Sequence, residues 1–152
     1  MTDEWTVEKI LIPSDGSEQA ELAINPAIDI AKSKGAELIA LYVIPDLMYY
    51  GVIPTIDRSE TEKEYEEKHA REVLRKIRIA AEEKGVKVKK VVRRGRPADE
   101  ILTEAEKEGV DLIVMGTKGR SGTKRIIGSV ADAVIREAHC PVLAIRELRK
   151  TT

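Results

Sequence analysis

The sequence predicts an α/β domain, an open five-stranded parallel sheet with helices on both faces, and three observations carry that prediction. Five short apolar runs alternate with four helical stripes along 152 residues. One run, Ala36 to Ile44 (AELIALYVI), is nearly continuous, as in a strand covered by helices on both sides. The third observation is the stretch from Asp111 to Ile135, which reads as strand, glycine loop and helix start. Its apolar run, Leu112 to Met115, is followed by glycines at 116, 119 and 122 and by Gly128-Ser129 at the head of a helical pattern. Glycine lets backbone approach a ligand closely, and the free N–H groups of a first helical turn carry partial positive charge. Such an arrangement cradles an anion, and a phosphate is the expected occupant.

Strand 1 is Lys9 to Pro13, and it ends in Ser14-Asp15-Gly16-Ser17, a turn and a helix start in one. Apolar residues at 20, 23, 24, 27, 28 and 31 then form a helical stripe. Pro26 lies inside it, which predicts a kink costing about 3 kcal/mol unless the helix begins later. Gly35 closes the helix, strand 2 follows as Ala36 to Ile44, and Asp46 to Asp57 has no clear period and reads as a loop folded onto its own core. Its Tyr49 and Tyr50 are alternatively a cover for a ligand or partner.

From Arg58 to Lys84 the chain is strongly helical, with a stripe at 70, 73, 74, 77, 80 and 81. Glu64/Lys68, Glu67/Arg71 and Glu72/Lys76 are spaced for i to i+4 pairing, and His69 reads as a boundary residue. Strand 3, Val86 to Arg93, alternates lysines in the manner of an edge strand. Pro97 opens the next helix and Gly109 stops it. Strand 4 (Asp111 to Met115), a helix from Ser129 to Glu137 and strand 5 (Pro141 to Arg146) complete a single domain spanning 1–152.

The balance of 26 basic against 27 acidic side chains gives no general attraction to nucleic acid or an anionic membrane. No 18-residue apolar stretch could span a bilayer, and the acidic start MTDEWTVEK lacks a signal-peptide run, so the expected location is cytoplasmic. A single cysteine, Cys140, reads as a structural thiol, and two histidines with it make a poor metal inventory.

Sheets of this class bind ligands beyond the carboxyl ends of their strands, where strand order reverses. Asp15 and the glycine loop both occupy such ends. If strands 1 and 4 are neighbours, one pocket has a carboxylate on one wall and an anion cradle on the other, which suits a nucleotide. The turn SDGSE excludes a dinucleotide fingerprint, and Gly119 to Lys124 is out of register for a P-loop, so Lys124 is no phosphate lysine by motif.

The segments ILIPSDGSE, GAELIALYVIP and HCPVLAIR, with the glycine loop between them, resemble the universal stress proteins over about Lys9 to Arg146. The resemblance implies a Rossmann-like three-layer α/β/α sandwich with strand order 3-2-1-4-5. It also implies ATP, or alternatively AMP or ADP, as ligand in a stress-response or regulatory sensor, with Mg²⁺ able to ride on the phosphates. By this resemblance Asp15 holds the ribose or adenine end, Pro13 belongs to the same cofactor site, backbone around Val43 lines the adenine slot, and Met115 with Gly116 borders the sugar. Gly119, Gly128, Ser129 and Val130 surround the phosphates; Arg120 and Lys124 either add charge there or are solvated cations. The family pattern for ATP has nine residues between its last two glycines, and here RSGTKRII supplies eight between Gly119 and Gly128. One residue is worth up to about 3.5 Å of reach.

No histidine, cysteine or paired carboxylate is expected beside the cradle, so the reading is a binding protein with at most slow hydrolysis rather than an enzyme. The resemblance further implies a homodimer joined through the last strand. The alternative is a dimeric scaffold of the same fold that does not bind nucleotide.

Overall fold

The computed structural model describes residues 4–46, 60–118 and 127–147. Five parallel strands lie in the order β3-β2-β1-β4-β5: β1 is Lys9–Pro13, β2 Glu37–Pro45, β3 Val88–Gly95, β4 Leu112–Gly116 and β5 Val142–Ile145. This is the predicted architecture. The boundaries move by one or two residues, most in β3, which runs on to Gly95 because it pairs β2 through Pro45.

The helices are α1 (Glu18–Glu21), α2 (Ile24–Lys34), α3 (Glu60–Glu82), α4 (Pro97–Glu108) and α5 (Ser129–Glu137). Where one kinked helix is predicted after β1, the chain makes two. A helix running through from Glu18 would lose its bond from Pro26 to Leu22. Restarting at Ile24 instead puts the proline in a first turn, whose N–H groups have no intrahelical acceptor to lose.

Alternation along each buried strand sends side chains to two separate cores. Ile10, Ile12, Leu38, Ala40 and Val114 pack under α2 and α3 with Ala27, Ile28, Leu74 and Ile77. Leu11, Ile39, Leu41, Val43, Ile113 and Met115 pack under α4 and α5 with Ile101, Ala105, Ala131 and Val134. The amino ends of β1 and β4 are stapled by Asp111, whose Oδ2 accepts from the N–H of Glu8 (2.8 Å) and Lys9 (3.0 Å). Trp5 lies over the same edge, its indole Nε1–H donating to the Asp111 carbonyl at 3.2 Å.

Charge is organised along β3 and its helices. Arg93 bridges Glu100 (2.5 Å) and Glu104 (2.9 Å) of α4, and Glu104 is 1% exposed. Lys89 reaches Glu108 (2.5 Å) at the far end of α4. Of the predicted helix pairs, Glu72 instead meets Arg75 one turn on (3.7 Å), and Glu67 lies 4.0 Å from Arg94 of β3. For Glu67, strand proximity competes with the weak i to i+4 preference and wins.

Candidate functional site

Strand order reverses between the parallel strands β1 and β4, since β1 leads outward to β2 and β3 while β4 leads to β5 on the other side. The crevice at their carboxyl ends is therefore the expected ligand position. On the β1 wall, Ser14 extends the pairing through its N–H to the Leu41 carbonyl (2.9 Å), and its Oγ accepts from the Gly16 N–H (3.2 Å). Asp15 Oδ1 accepts from the Ser17 N–H (2.9 Å), and Ser17 Oγ caps α1 by accepting from Ala20 (3.1 Å). Gly16 takes φ +79°, the left-handed region, which allows this tight sequence of turns. Asp15 is thus held, half-buried, at the mouth of the crevice by a turn that its own carboxylate helps to fix.

The β4 wall is set by a close approach. A Cβ on Gly116 would lie 2.6 Å from the Gln19 carbonyl oxygen, so only glycine lets the backbone of α1 lie against β4. This contact ties the two walls together. Beyond it, Thr117 donates its N–H to the Ile145 carbonyl (3.2 Å), and its own carbonyl accepts from the Gly128 N–H (2.7 Å). That last bond brings the returning chain beside the end of β4. Gly128 sits at the N-cap of α5 with φ −66° and ψ 160° and has no side chain to cap the first turn. The N–H groups there have no intrahelical acceptors and are presented toward the crevice end of the sheet. Ser129 is exposed and Val130 half-buried.

Val43, Met115 and Val130 belong to the same apolar cluster, under α4 and α5. The predicted site residues Pro13, Asp15, Val43, Met115, Gly116, Gly128, Ser129 and Val130 therefore come together at one end of the sheet. Gly116 has a packing reason of its own. Gly119, Arg120, Lys124 and the Asp46 to Asp57 loop beyond Asp46 lie outside the described residues.

Two features escaped the sequence reading. Lys118, immediately after the β4 wall, is 8% exposed; nothing in its spacing marks it as buried. His69 does lie at the edge of the α3 stripe, as predicted, yet it also meets the Asp15 turn. Cys140 packs half-buried against the α4/α5-side cluster, and burial together with Asp111 pushes its thiol pKa up, away from a reactive thiolate. Among the described residues no three His, Cys, Asp or Glu side chains cluster to hold a metal, and no helix is long and apolar enough to cross a membrane.

The universal stress protein family model matches residues 6–146. The universal stress protein MJ0531 of Methanocaldococcus jannaschii is 44% identical, over 94% of this chain and 84% of its own. The solved structure of the hypothetical protein MJ0577 superposes with a TM-score of 0.76 at 36% identity, covering 95% of this chain and 99% of that one. Two further solved chains share the fold, each with a TM-score of 0.67. One is a universal stress protein in complex with cAMP, at 23% identity over 93% of this chain and 98% of that one. The other, from Archaeoglobus fulgidus in complex with dAMP, matches at 22% identity over 94% of this chain and 100% of its own. With the fold, the crevice and the sequence in agreement over nearly its whole length, the chain belongs to the universal stress protein family.

Proposed function

We propose that this protein binds an adenine nucleotide, ATP first among them, between the ends of β1 and β4, and serves as a cytoplasmic stress-response sensor rather than an enzyme. The observation that carries the reading is the Thr117–Gly128 hydrogen bond, which sets an uncapped helix start beside β4 and across the crevice from the Asp15 turn. A ribose hydroxyl can donate to the Asp15 carboxylate, the base can lie on Val43 and Met115, and phosphates can take the N–H groups of Ser129 and Val130. Arg120 and Gly119 complete the phosphate end in this reading, and Mg²⁺ rides on the phosphates with few protein ligands. Chains of this fold solved with cAMP and dAMP support an adenine nucleotide as the ligand class.

Calorimetric titration with ATP, ADP, AMP and cAMP, with and without Mg²⁺, tests the proposal. Micromolar binding in the wild type and at least about tenfold weaker binding in Gly128→Val is the expected outcome, since a branched side chain at the cap fills the cradle. Absence of heat with every nucleotide, from a folded protein, passes the function to the scaffold reading. That reading draws on β5, an edge strand whose Leu143 is 38% exposed, through which we propose that two copies pair.

A further inference from the structure

The Asp15 arm of the crevice rests on a helix that the family motif does not include. Gly16, next to Asp15, packs against α3 so closely that a Cβ there would lie 2.8 Å from Val73 Cγ2 and 3.2 Å from His69 Nε2. The His69 ring stands edge-on to Tyr42 of β2, with centroids 5.8 Å apart and planes at 88°. Tyr42 is 5% exposed and belongs to the α2/α3-side core, so the surface behind the imidazole is rigid. The imidazole is therefore a spacer between a fixed core ring and the backbone that orients Asp15.

We infer that His69 is a positioning residue for the nucleotide site. It holds the Gly16 backbone, and through it the Asp15 carboxylate, at the distance a ribose hydroxyl requires, and it couples occupancy of the crevice to α3. The inference rests on the nucleotide reading above. If the two are coupled, a ligand that draws on Asp15 alters the surroundings of His69, and a substitution at His69 alters ligand affinity. Removing the ring leaves the turn with Val73 but without the imidazole on its α3 side, and a carboxylate displaced by a fraction of an ångström loses much of its hydrogen bond.

The chain has two histidines, so a histidine-selective NMR spectrum contains one ring signal from His69 and one from His139, an exposed residue between α5 and β5. Adding ATP to the wild-type protein is expected to shift the His69 signal and leave His139 nearly in place. In calorimetry, His69→Ala is expected to bind ATP about tenfold more weakly. His69→Gln, whose amide reaches about as far as the imidazole Nε2, recovers most of that loss. ATP heat in the wild type with a stationary His69 signal, or with unchanged affinity in folded His69→Ala, overturns this proposal alone. No heat with any adenine nucleotide overturns the nucleotide reading and this inference with it. Should His69→Ala fail to fold, the wild-type spectrum and His69→Gln decide.

Discussion

The two edges of the sheet solve the same problem in opposite ways. β3 exposes Lys89, Lys90 and Arg94 on either side of an exposed Val92, and its Arg93 and Lys89 are tied to α4 by ion pairs. β5 has no charged residue between Val142 and Ile145, and Leu143 is exposed there, with Ile135 of α5 also exposed nearby in sequence. Charged side chains on an edge discourage pairing with another chain, whereas an apolar edge invites it. One edge is finished within the chain, and the other is the edge through which pairing of two copies is proposed.

The largest effect is expected on the finished edge. Arg93→Met leaves the carboxylate of Glu104, 1% exposed, without its guanidinium, and is expected to cost about 3 kcal/mol in urea unfolding. Replacing Glu104 by leucine in the same chain should recover much of this, because the cost is that of an unpaired buried charge. If Arg93→Met is silent, the β3 ladder is ornament and the contrast between the edges fails. At the other edge, Leu143→Lys gives β5 the kind of residue β3 already has. It is expected to weaken self-association at least about tenfold in sedimentation while leaving the unfolding midpoint of the monomer nearly unchanged. A wild-type protein that is monomeric at every concentration would remove the asymmetry altogether.

The smallest effect is one of pH. The Lys89 ammonium holds the Glu108 carboxyl below its ordinary value of 4.5, and Glu108 in turn raises Lys89 above 10.5. A lowered acid contributes stability above its unfolded pKa and loses it as pH falls through the folded one. A raised base contributes below its unfolded pKa and loses it as pH climbs through the folded one. The pair thus stabilises most between those limits, weakly because Lys89 is exposed. Unfolding midpoints of wild type and Lys89→Met should differ slightly at pH 7 and converge as pH drops below 4.5.

Most of the fold was legible because its signals are local and periodic. The two-sided apolar run of β2, the lysines of β3 and the stripe of α3 each report the layer they face. Asp15, Gly128 and Ser129 were legible for a similar reason: they stand at strand and helix ends, where residue type is dictated by backbone geometry. What the sequence does not show is contacts with distant partners. Gly116 is glycine partly because Gln19 crosses it, 97 positions away in sequence. His69 looks peripheral on α3 until β1 and β2 are placed beneath it. Glu67 was assigned to Arg71 by helix spacing, and only the pairing of β3 with β2 brings Arg94 within its reach.

The position of Trp5 has a practical side. It is the chain's single tryptophan, and it sits at the amino ends of β1 and β4, bonded to the Asp111 carbonyl. The crevice proposed to hold a nucleotide lies at the opposite ends of those strands. Its emission consequently follows the docking of the first residues onto the sheet and the integrity of the β1–β4 seam. A ligand at Asp15 and Gly128 would bind a full strand length away, so the fluorophore built into this protein is a gauge of folding and would be a poor gauge of occupancy.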